Sequence, residues 1–422
     1  MKKLFATLGA AALLAAVAVP AGATNGMDMI GYGTRSIGMG GADVALDGDA
    51  ANVSGNPAVV SKAVPNSANV GLTVLMPDLK YQDPYQEVDG ESQQFFMPSL
   101  GYVHTSAGSP WSFGIGAYAQ GGMGVDFQDV MTPAGTMDEL TSEVGYLRIN
   151  PLVAYKVNND LSVGATVMIG YTMMKFSMFP ETPGANSGLD VKDLTSWGYA
   201  AKVGAQYKIG PQWSFGATYT TEAKIDMDGG TATLNFGPMG GKVEYDAEMT
   251  DFTWPQEFEA GVAYTPIKGL TIAADVKWIN WAATIDQPKL VVSNPPAGFP
   301  ATPFPSADGQ QMASDTAAFD MGWDDQWVYA IGAEYAINAV HTVRAGFNYG
   351  NNPVPDDKLN PLFPAIPTTH LTLGYGANLG KWSLDLAYEH AFEEEQTSSN
   401  PQMPIEIAHS QNTVSIGATY RY

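Results

Sequence analysis

The chain has 422 residues, 45% hydrophobic but only 15% charged, with 46 Gly, 20 Tyr, 17 Phe, 9 Trp and no Cys. Without Cys there is no disulfide framework and no thiolate chemistry, and a net charge of −23 argues against nucleic acid, whose phosphates need basic patches. Soluble proteins average ~25% charged residues, so a low-charge, Gly- and aromatic-rich chain points towards a membrane.

Lys2 and Lys3 precede an apolar run from Leu4 to Val19, and Ala21-Gly22-Ala23 has the small-residue spacing of an export cleavage site. A cleaved signal peptide over 1–23 is expected, with the mature chain starting at Thr24. That run is too short and too Ala-rich to span well, and no later stretch approaches the ~18 apolar residues of a membrane helix. The remaining way to cross is a β-barrel, whose hydropathy is weak in each segment.

Residues 24–66 carry GYGTRSIGMGGADVALDGDAA and then VSGNPAVVSK, with neither a period of two nor one of 3.6. Lipid excludes irregular backbone unless protein buries it or it lines a cavity. The expected place is therefore inside a barrel, as a plug, and the alternative is a disordered periplasmic arm. Ile30, Ile37, Met39, Val44 and Leu46 favour the plug, because an arm has no use for them. Pro57 turns Asn56 away from αR. Asn56 both donates and accepts, so it can pin the plug to inward polar groups.

From residue 67 to 422 the pattern alternates. In WSLDLAYEH, Trp382, Leu384, Leu386 and Tyr388 share one face, opposite Ser383, Asp385, Ala387 and Glu389. The same reading gives about fourteen strands, near 68–80, 94–107, 111–121, 143–157, 160–178, 195–209, 212–225, 242–266, 269–283, 324–337, 340–350, 368–379, 381–392 and 411–422. The eighth is interrupted by Pro255. Short connections (SAGSPW, NND, GPQ, IKG, NAV, LGK) alternate strictly with long ones, as in outer-membrane barrels. A soluble β-sandwich gives no reason for that alternation. Aromatic residues near strand ends match interfacial girdles, and the final strand ends on Tyr422, the kind of end read by outer-membrane assembly machinery. The expected architecture is all-β: an antiparallel transmembrane β-barrel of about 14 strands with an N-terminal plug.

Parity assigns the lumen. Val163, Val167 and Ile169 face lipid, so Met168, Met174, Phe176 and Met178 face inward, as do Ile279 and Trp281. Met-rich apolar lining suits a flexible hydrophobic ligand, although packing against the plug explains it too. Inward basic residues are Arg148, Lys202, Lys277 and Arg344, with Arg35 in the plug. Each is a candidate for a carboxylate head. Glu222, Asp275, Glu334 and Asp385 share the interior, so bracing ion pairs account for most of them.

The chain resembles the FadL-type outer-membrane transporters of long-chain fatty acids and other hydrophobic compounds. The resemblance rests on G-x-G-x-R-S-x-G-M-G-G-A at 31–42, NPA at 56–58 (Asn56, Pro57, Ala58), W-P-Q-E-F-E-A-G-V-A-Y-T-P at 254–266 and D-x-x-W-x-x-W at 275–281. WDDQWVYAIGAEY at 323–335 and VRAGFNYGNNPVPD at 343–356 add to it. It implies a fourteen-stranded barrel, a hatch containing the NPA, and a kink in the third strand that opens a lateral route into the membrane. GAYAQGGMG at 116–124 occupies the corresponding place, where Gly121 and Gly122 permit a kink; glycines where a strand meets a loop are also ordinary. The family's carboxylate-binding basic residue on the fifth strand aligns with Met here, which leaves neutral hydrophobic substrates open.

Passive, staged uptake is the expected mechanism: capture by the loop residues Leu290, Phe299 and Phe304, transfer to the Met-lined lumen, plug displacement and lateral exit. Full burial of a hexadecyl-length tail at ~0.8 kcal/mol per CH₂ gives on the order of 12 kcal/mol, which would hold a ligand too tightly for release. The competing readings are a polar-solute porin and an outer-membrane lipolytic enzyme. No catalytic, metal-binding or cofactor motif is present: there is no His-Glu-x-x-His, G-x-S-x-G or P-loop. Expected partners are a hydrophobic small molecule, outer-membrane lipid and lipopolysaccharide, and the assembly machinery, around a monomer.

Overall fold

The structure, a computed structural model, describes residues 25–48, 50–61, 66–132, 134–183, 188–305 and 313–422; the expected signal peptide lies outside them. Fourteen strands form the wall: β1 (Ser67–Asp83), β2 (Phe95–Thr105), β3 (Trp111–Met131), β4 (Met137–Lys156), β5 (Leu161–Met178), β6 (Leu189–Ile209) and β7 (Trp213–Thr220), followed by β8 (Glu257–Ile267), β9 (Leu270–Ile279), β10 (Gln326–Ala336), β11 (His341–Gly350), β12 (Thr369–Leu379), β13 (Trp382–Thr397) and β14 (Glu406–Arg421). Each is antiparallel to its predecessor. β14 pairs back onto β1 from Ser67–Arg421 to Gln82–Glu406, so the cylinder closes. Closure satisfies the backbone without water, which is what lets strands cross lipid. Among the described residues no helix is long and apolar enough to do so.

Outward side chains are the alternate apolar ones. Leu384 and Leu386 are 46% and 48% exposed, whereas Ser383, Ala387 and Glu389 are buried. At the short-turn end, rings pair across neighbouring strands: Trp213 with Tyr264 at 4.1 Å, Trp111 with Tyr155 at 4.5 Å and Trp382 with Tyr420 at 4.9 Å. Trp197 and Tyr199 stand exposed towards the opposite end of β6.

Three sequence expectations change. The eighth strand, expected over 242–266, divides: its alternating first half, Lys242–Thr250, leaves the wall and pairs with Met227–Asn235 and Lys289–Ser293. Asp251, in the left-handed region at φ 59, turns the chain there, and the wall strand begins only at Glu257. Glu222, assigned inward by parity, lies beyond the end of β7 and is exposed. The third strand also runs ten residues past Gly121, to Met131, which puts the glycine pair in mid-strand.

Above the wall, Met227–Asn235 pairs with the outer end of β6, and Lys242–Thr250, Lys289–Ser293 and Thr316–Ala318 continue the sheet. The inner face of this cap is apolar, with Val243, Tyr245, Ala247 and Met249 all buried. Inside the wall, the hatch residues 25–61 bury Ile30, Ile37, Met39, Val44 and Leu46 to 5% exposure or less. Met39, Val44 and Leu46 pack on Ala263, Ala273 and Ala330 of β8–β10. Val53, Val59 and Val60 pack on Val103, Tyr118 and Leu152 on another side.

Candidate functional site

Asn56 holds the hatch turn. Its Nδ2 donates to the carbonyls of Val44 (2.8 Å) and Ala205 (3.0 Å), and its Oδ1 accepts from the Ala58 amide (3.0 Å). The partners are backbone groups, one in the hatch and one on β6, rather than inward polar side chains. The wall makes room through Gly204, where a Cβ would sit 2.2 Å from Asn56 Oδ1 and 2.9 Å from Pro57 Cδ. Ala58 is fully buried beside them.

Arg35, from the one-turn helix α1 (Thr34–Gly38), makes a bidentate pair with Glu334, 2.9 Å in each arm, and donates to the Asp47 carbonyl. Glu334 also accepts from Arg344 Nε at 2.6 Å, and Arg344 Nη1 reaches Asp385 at 2.7 Å. This chain of charges joins the hatch to β10, β11 and β13 and lines a polar cavity of about 430 Å³ at the short-turn end. Arg344, a head-group candidate, is thus occupied by two carboxylates.

The other basic candidates are buried too. Lys277 faces Glu257 at 3.7 Å, and Lys202 donates to the Ser54 carbonyl at 3.4 Å. Arg148 lies over the Tyr32 ring, 5.4 Å from its centroid, with Nη1 3.9 Å from Met168 Sδ. Its Nε and Nη2 have no hydrogen-bond partner. Met168 therefore packs on a cation rather than lining an apolar space.

The first hatch residues reach a discontinuity in the wall. β2 pairs with β3 only between Ser99–Tyr118 and Thr105–Ser112, whereas Phe95–Pro98 of β2 pair with β1 alone. Past Tyr118, β3 keeps its ladder to β4 but slips register between Ala119 and Gly121. Met27 and Asp28 lie along the edge this frees: the Gly122 amide donates to the Met27 carbonyl at 3.1 Å, and Asp28 bridges Gly121. A Cβ on Gly121 would meet the Met27 carbonyl oxygen at 2.0 Å, and one on Gly122 the Val144 carbonyl oxygen at 1.9 Å. Only glycine permits both approaches.

Asp28 Oδ1 accepts from Gln120 Nε2 (3.0 Å) and Trp254 Nε1 (3.2 Å). Burial, reinforced by the nearby Glu257 carboxylate and opposed by Lys277 and Arg148, raises its pKa to about 6. Residue order does not announce this group, because Trp254 and Asp28 are 226 residues apart.

Beside Met27 lies an apolar cavity of about 20 Å³, room for roughly one water. Met27, Met174, Met249 and Met321 line it together with Phe176, Phe252, Phe319, Phe363 and Trp323. No charged residue lines it. Of the six lumen residues expected from parity, Met174 and Phe176 reach this cavity. Ile279 and Trp281 are fully buried in the surrounding cluster, and Met178 is partly buried against it. Most of the lining comes from the long connections between wall strands (Phe252, Ile285, Pro288, Phe319, Met321, Trp323 and Phe363), which strand parity does not address.

The loop residues expected to meet ligand first are not on the surface. Leu290 is fully buried and Phe304 is 7% exposed. Phe299 is half-buried, 5.6 Å from the Phe236 ring. All three belong to the cap's interior because the long connections fold into a sheet with its own apolar face.

A family model described as "Outer membrane protein transport protein (OMPP1/FadL/TodX)" matches residues 12–422, and the chain belongs to this family of outer-membrane transport proteins, which are channels and not enzymes. The long-chain fatty acid transport protein of Escherichia coli O6:H1 (strain CFT073) is 21% identical over 374 residues, 78% of each chain. The protein of the same name from Salmonella typhi is 22% identical over 336 residues, 74% of each. Among solved structures, the P. putida toluene transporter TodX is similar with a TM-score of 0.77 at 21% identity, over 94% of this chain and 99% of that one. The Ralstonia pickettii toluene transporter TbuX gives 0.73 at 22%, over 93% and 99%. At these identities the structural likeness establishes the fold.

Proposed function

We propose that this protein is a passive conduit for hydrophobic small molecules, fatty acids or hydrocarbons, from the cell exterior into the lipid phase of the outer membrane. The observation that carries the reading is the double role of Met27, which lines the apolar cavity and also holds the free edge of β3 through its carbonyl. A ligand expanding the cavity pushes on Met27, and moving Met27 releases the hydrogen bond that covers the break between β2 and β3. The exit is then sideways, past Gly121 and Gly122, because Asn56 and Arg35 tie the rest of the hatch to the wall. Entry requires the cap around Leu290, Phe299 and Phe304 to open. Long unbranched methionine side chains allow the cavity to grow without breaking backbone.

Nothing along this route couples it to an energy source, so the movement is downhill. Should a carboxylate head enter, Arg148 is the receiving cation, since it retains unpaired donors while Arg344 and Lys277 face carboxylates. Export through the signal peptide 1–23 and insertion as a monomer surrounded by lipid complete the reading.

The test is uptake of a labelled alkylbenzene and of hexadecanoate by cells expressing the protein, alongside its single-channel conductance. Gly122→Val should abolish uptake while the barrel keeps its heat-shifted electrophoretic mobility. Unchanged uptake in that variant, or a steady large ionic current in the wild type, rejects the route.

A further inference from the structure

The net charge of −23 is not spread evenly over the molecule. The long connections between wall strands hold no arginine and only the lysines Lys224, Lys242, Lys289 and Lys358, against several times as many Asp and Glu. The short connections hold Asp160 against Lys268 and Lys381. Lys242, Lys289 and Lys358 are already paired with Glu181, Asp251 and Asp320. What remains at the long-connection end is a surface of one sign.

The cap strand Lys242–Thr250 shows where this surface lies relative to the route. Its inward side chains Val243, Tyr245, Ala247 and Met249 are buried, and Met249 lines the apolar cavity. Its outward side chains Glu244, Asp246 and Glu248 are exposed, about 7 Å apart along one face. Across the ladders they meet Thr233, Thr231, Ser293 and Val291, and none of the three forms an ion pair among the described residues. Asp246 accepts from Asn294 Nδ2 at 2.7 Å, a neutral donor that leaves its charge in place. A single strand therefore stands between the apolar interior and three uncompensated carboxylates.

We propose that this acidic exterior is a charge filter, which admits neutral hydrophobic molecules and slows ionised carboxylates of the same length. Glu244, Asp246 and Glu248 are then specificity-determining residues, and the preferred substrates carry no negative charge. The proposal rests on the transport reading above and narrows its substrate class. A field of one sign over a low-dielectric opening changes the arrival rate of a charged ligand by about tenfold or more, and salt removes the effect. An uncharged ligand feels no such field. The cavity behind the cap returns nothing to the anion, because no charged residue lines it.

The probes are the fluorescent trans-parinaric acid, ionised at pH 8.5, and its methyl ester, which share one tail. Stopped-flow association with the purified full chain, in uncharged detergent with EDTA to remove masking divalent cations, compares two proteins. These are the wild type and a variant combining Glu244→Gln, Asp246→Asn and Glu248→Gln. The three side chains point to solvent, and heat-shifted electrophoretic mobility checks that the variant is folded. Each probe is measured against itself across the two proteins at equal salt, so micelle partitioning cancels. In 20 mM NaCl the variant should bind the acid about fivefold faster than wild type does, with the ester within about twofold. In 0.5 M NaCl the acid's gain should vanish, because the Debye length falls from about 20 Å to about 4 Å. An acid rate that rises no more than the ester's, or a gain that survives 0.5 M NaCl, overturns the proposal while leaving hydrophobic binding intact. No wild-type binding of either probe overturns the transport reading as well.

Discussion

The side-chain amide of Asn56 is bonded to the backbone carbonyl of Ala205 at 3.0 Å, so the hatch is anchored to a strand of the wall itself and not to a side chain that could swing with it. Replacing Asn56 by Ala removes that bond, the one to Val44, and the acceptor for Ala58. Leaving buried backbone groups unpaired costs on the order of 2 kcal/mol. The hatch turn should loosen while the barrel persists. With no native Cys, Ser54→Cys can report this: its labelling by a membrane-impermeant maleimide should accelerate about tenfold or more in the Asn56→Ala background.

Asp28 makes hatch docking depend on pH. An acid whose pKa is raised in the docked state, here to about 6 by burial and by Glu257, favours docking in its protonated form. That stabilisation is complete below the ordinary carboxylate value near 3.8 and is lost as pH rises through about 6. Gln120, Trp254, Tyr32, Lys277 and Arg148 also face the group, and the two cations limit the effect. Labelling of Asn25→Cys, normalised at each pH to the same thiol in the urea-unfolded protein, should therefore be slower at pH 5 than at pH 7.5, and Asp28→Asn should flatten that normalised difference.

The cavity's size, about 20 Å³, means that ligand entry is limited by side-chain rearrangement. Met249→Leu with Met321→Leu preserves volume and costs under ~1.5 kcal/mol per site, but exchanges flexible chains for branched ones. Uptake should slow several-fold with the thermal unfolding midpoint nearly unchanged. A normal uptake rate in the double variant would show that methionine flexibility is not rate-limiting.

Removing Arg344 leaves Glu334 with Arg35 alone and Asp385 without its partner. Because the Arg344 side chain is only 7% exposed, Arg344→Ala should destabilise by about 3 kcal/mol. The loss should persist at high salt, since buried pairs are weakly screened. Urea unfolding at low and at 0.5 M salt measures both.

Much of this architecture is legible in residue order. Trp382 to Glu389 alternate cleanly because one side meets lipid and the other the lumen, and the two-class connections fix which end is which. The same periodicity misleads at Lys242–Thr250, since a cap strand with one apolar face has the same pattern as a wall strand. Gly121 and Gly122 stand out as a pair, but nothing near them announces that Met27 is their neighbour. The cavity was half visible through Met174 and Phe176. Its other walls come from segments whose meeting depends on how long loops fold, which strand parity cannot express. Leu290 and Phe304 were misplaced for the same reason: apolar residues in a long connection are equally consistent with an exposed rim and with a packed lid.

The hatch precedes β1 in the chain, and β1 pairs with β14 along nearly its whole length. The seam that completes the cylinder thus joins the strand beside the hatch to the last strand of the chain. Hatch and wall share hydrogen bonds and ion pairs on β3, β6 and β10, so the leading segment is held from several sides of the bore at once. On the proposed route a ligand therefore passes around a tethered segment, by its local shifts rather than its departure.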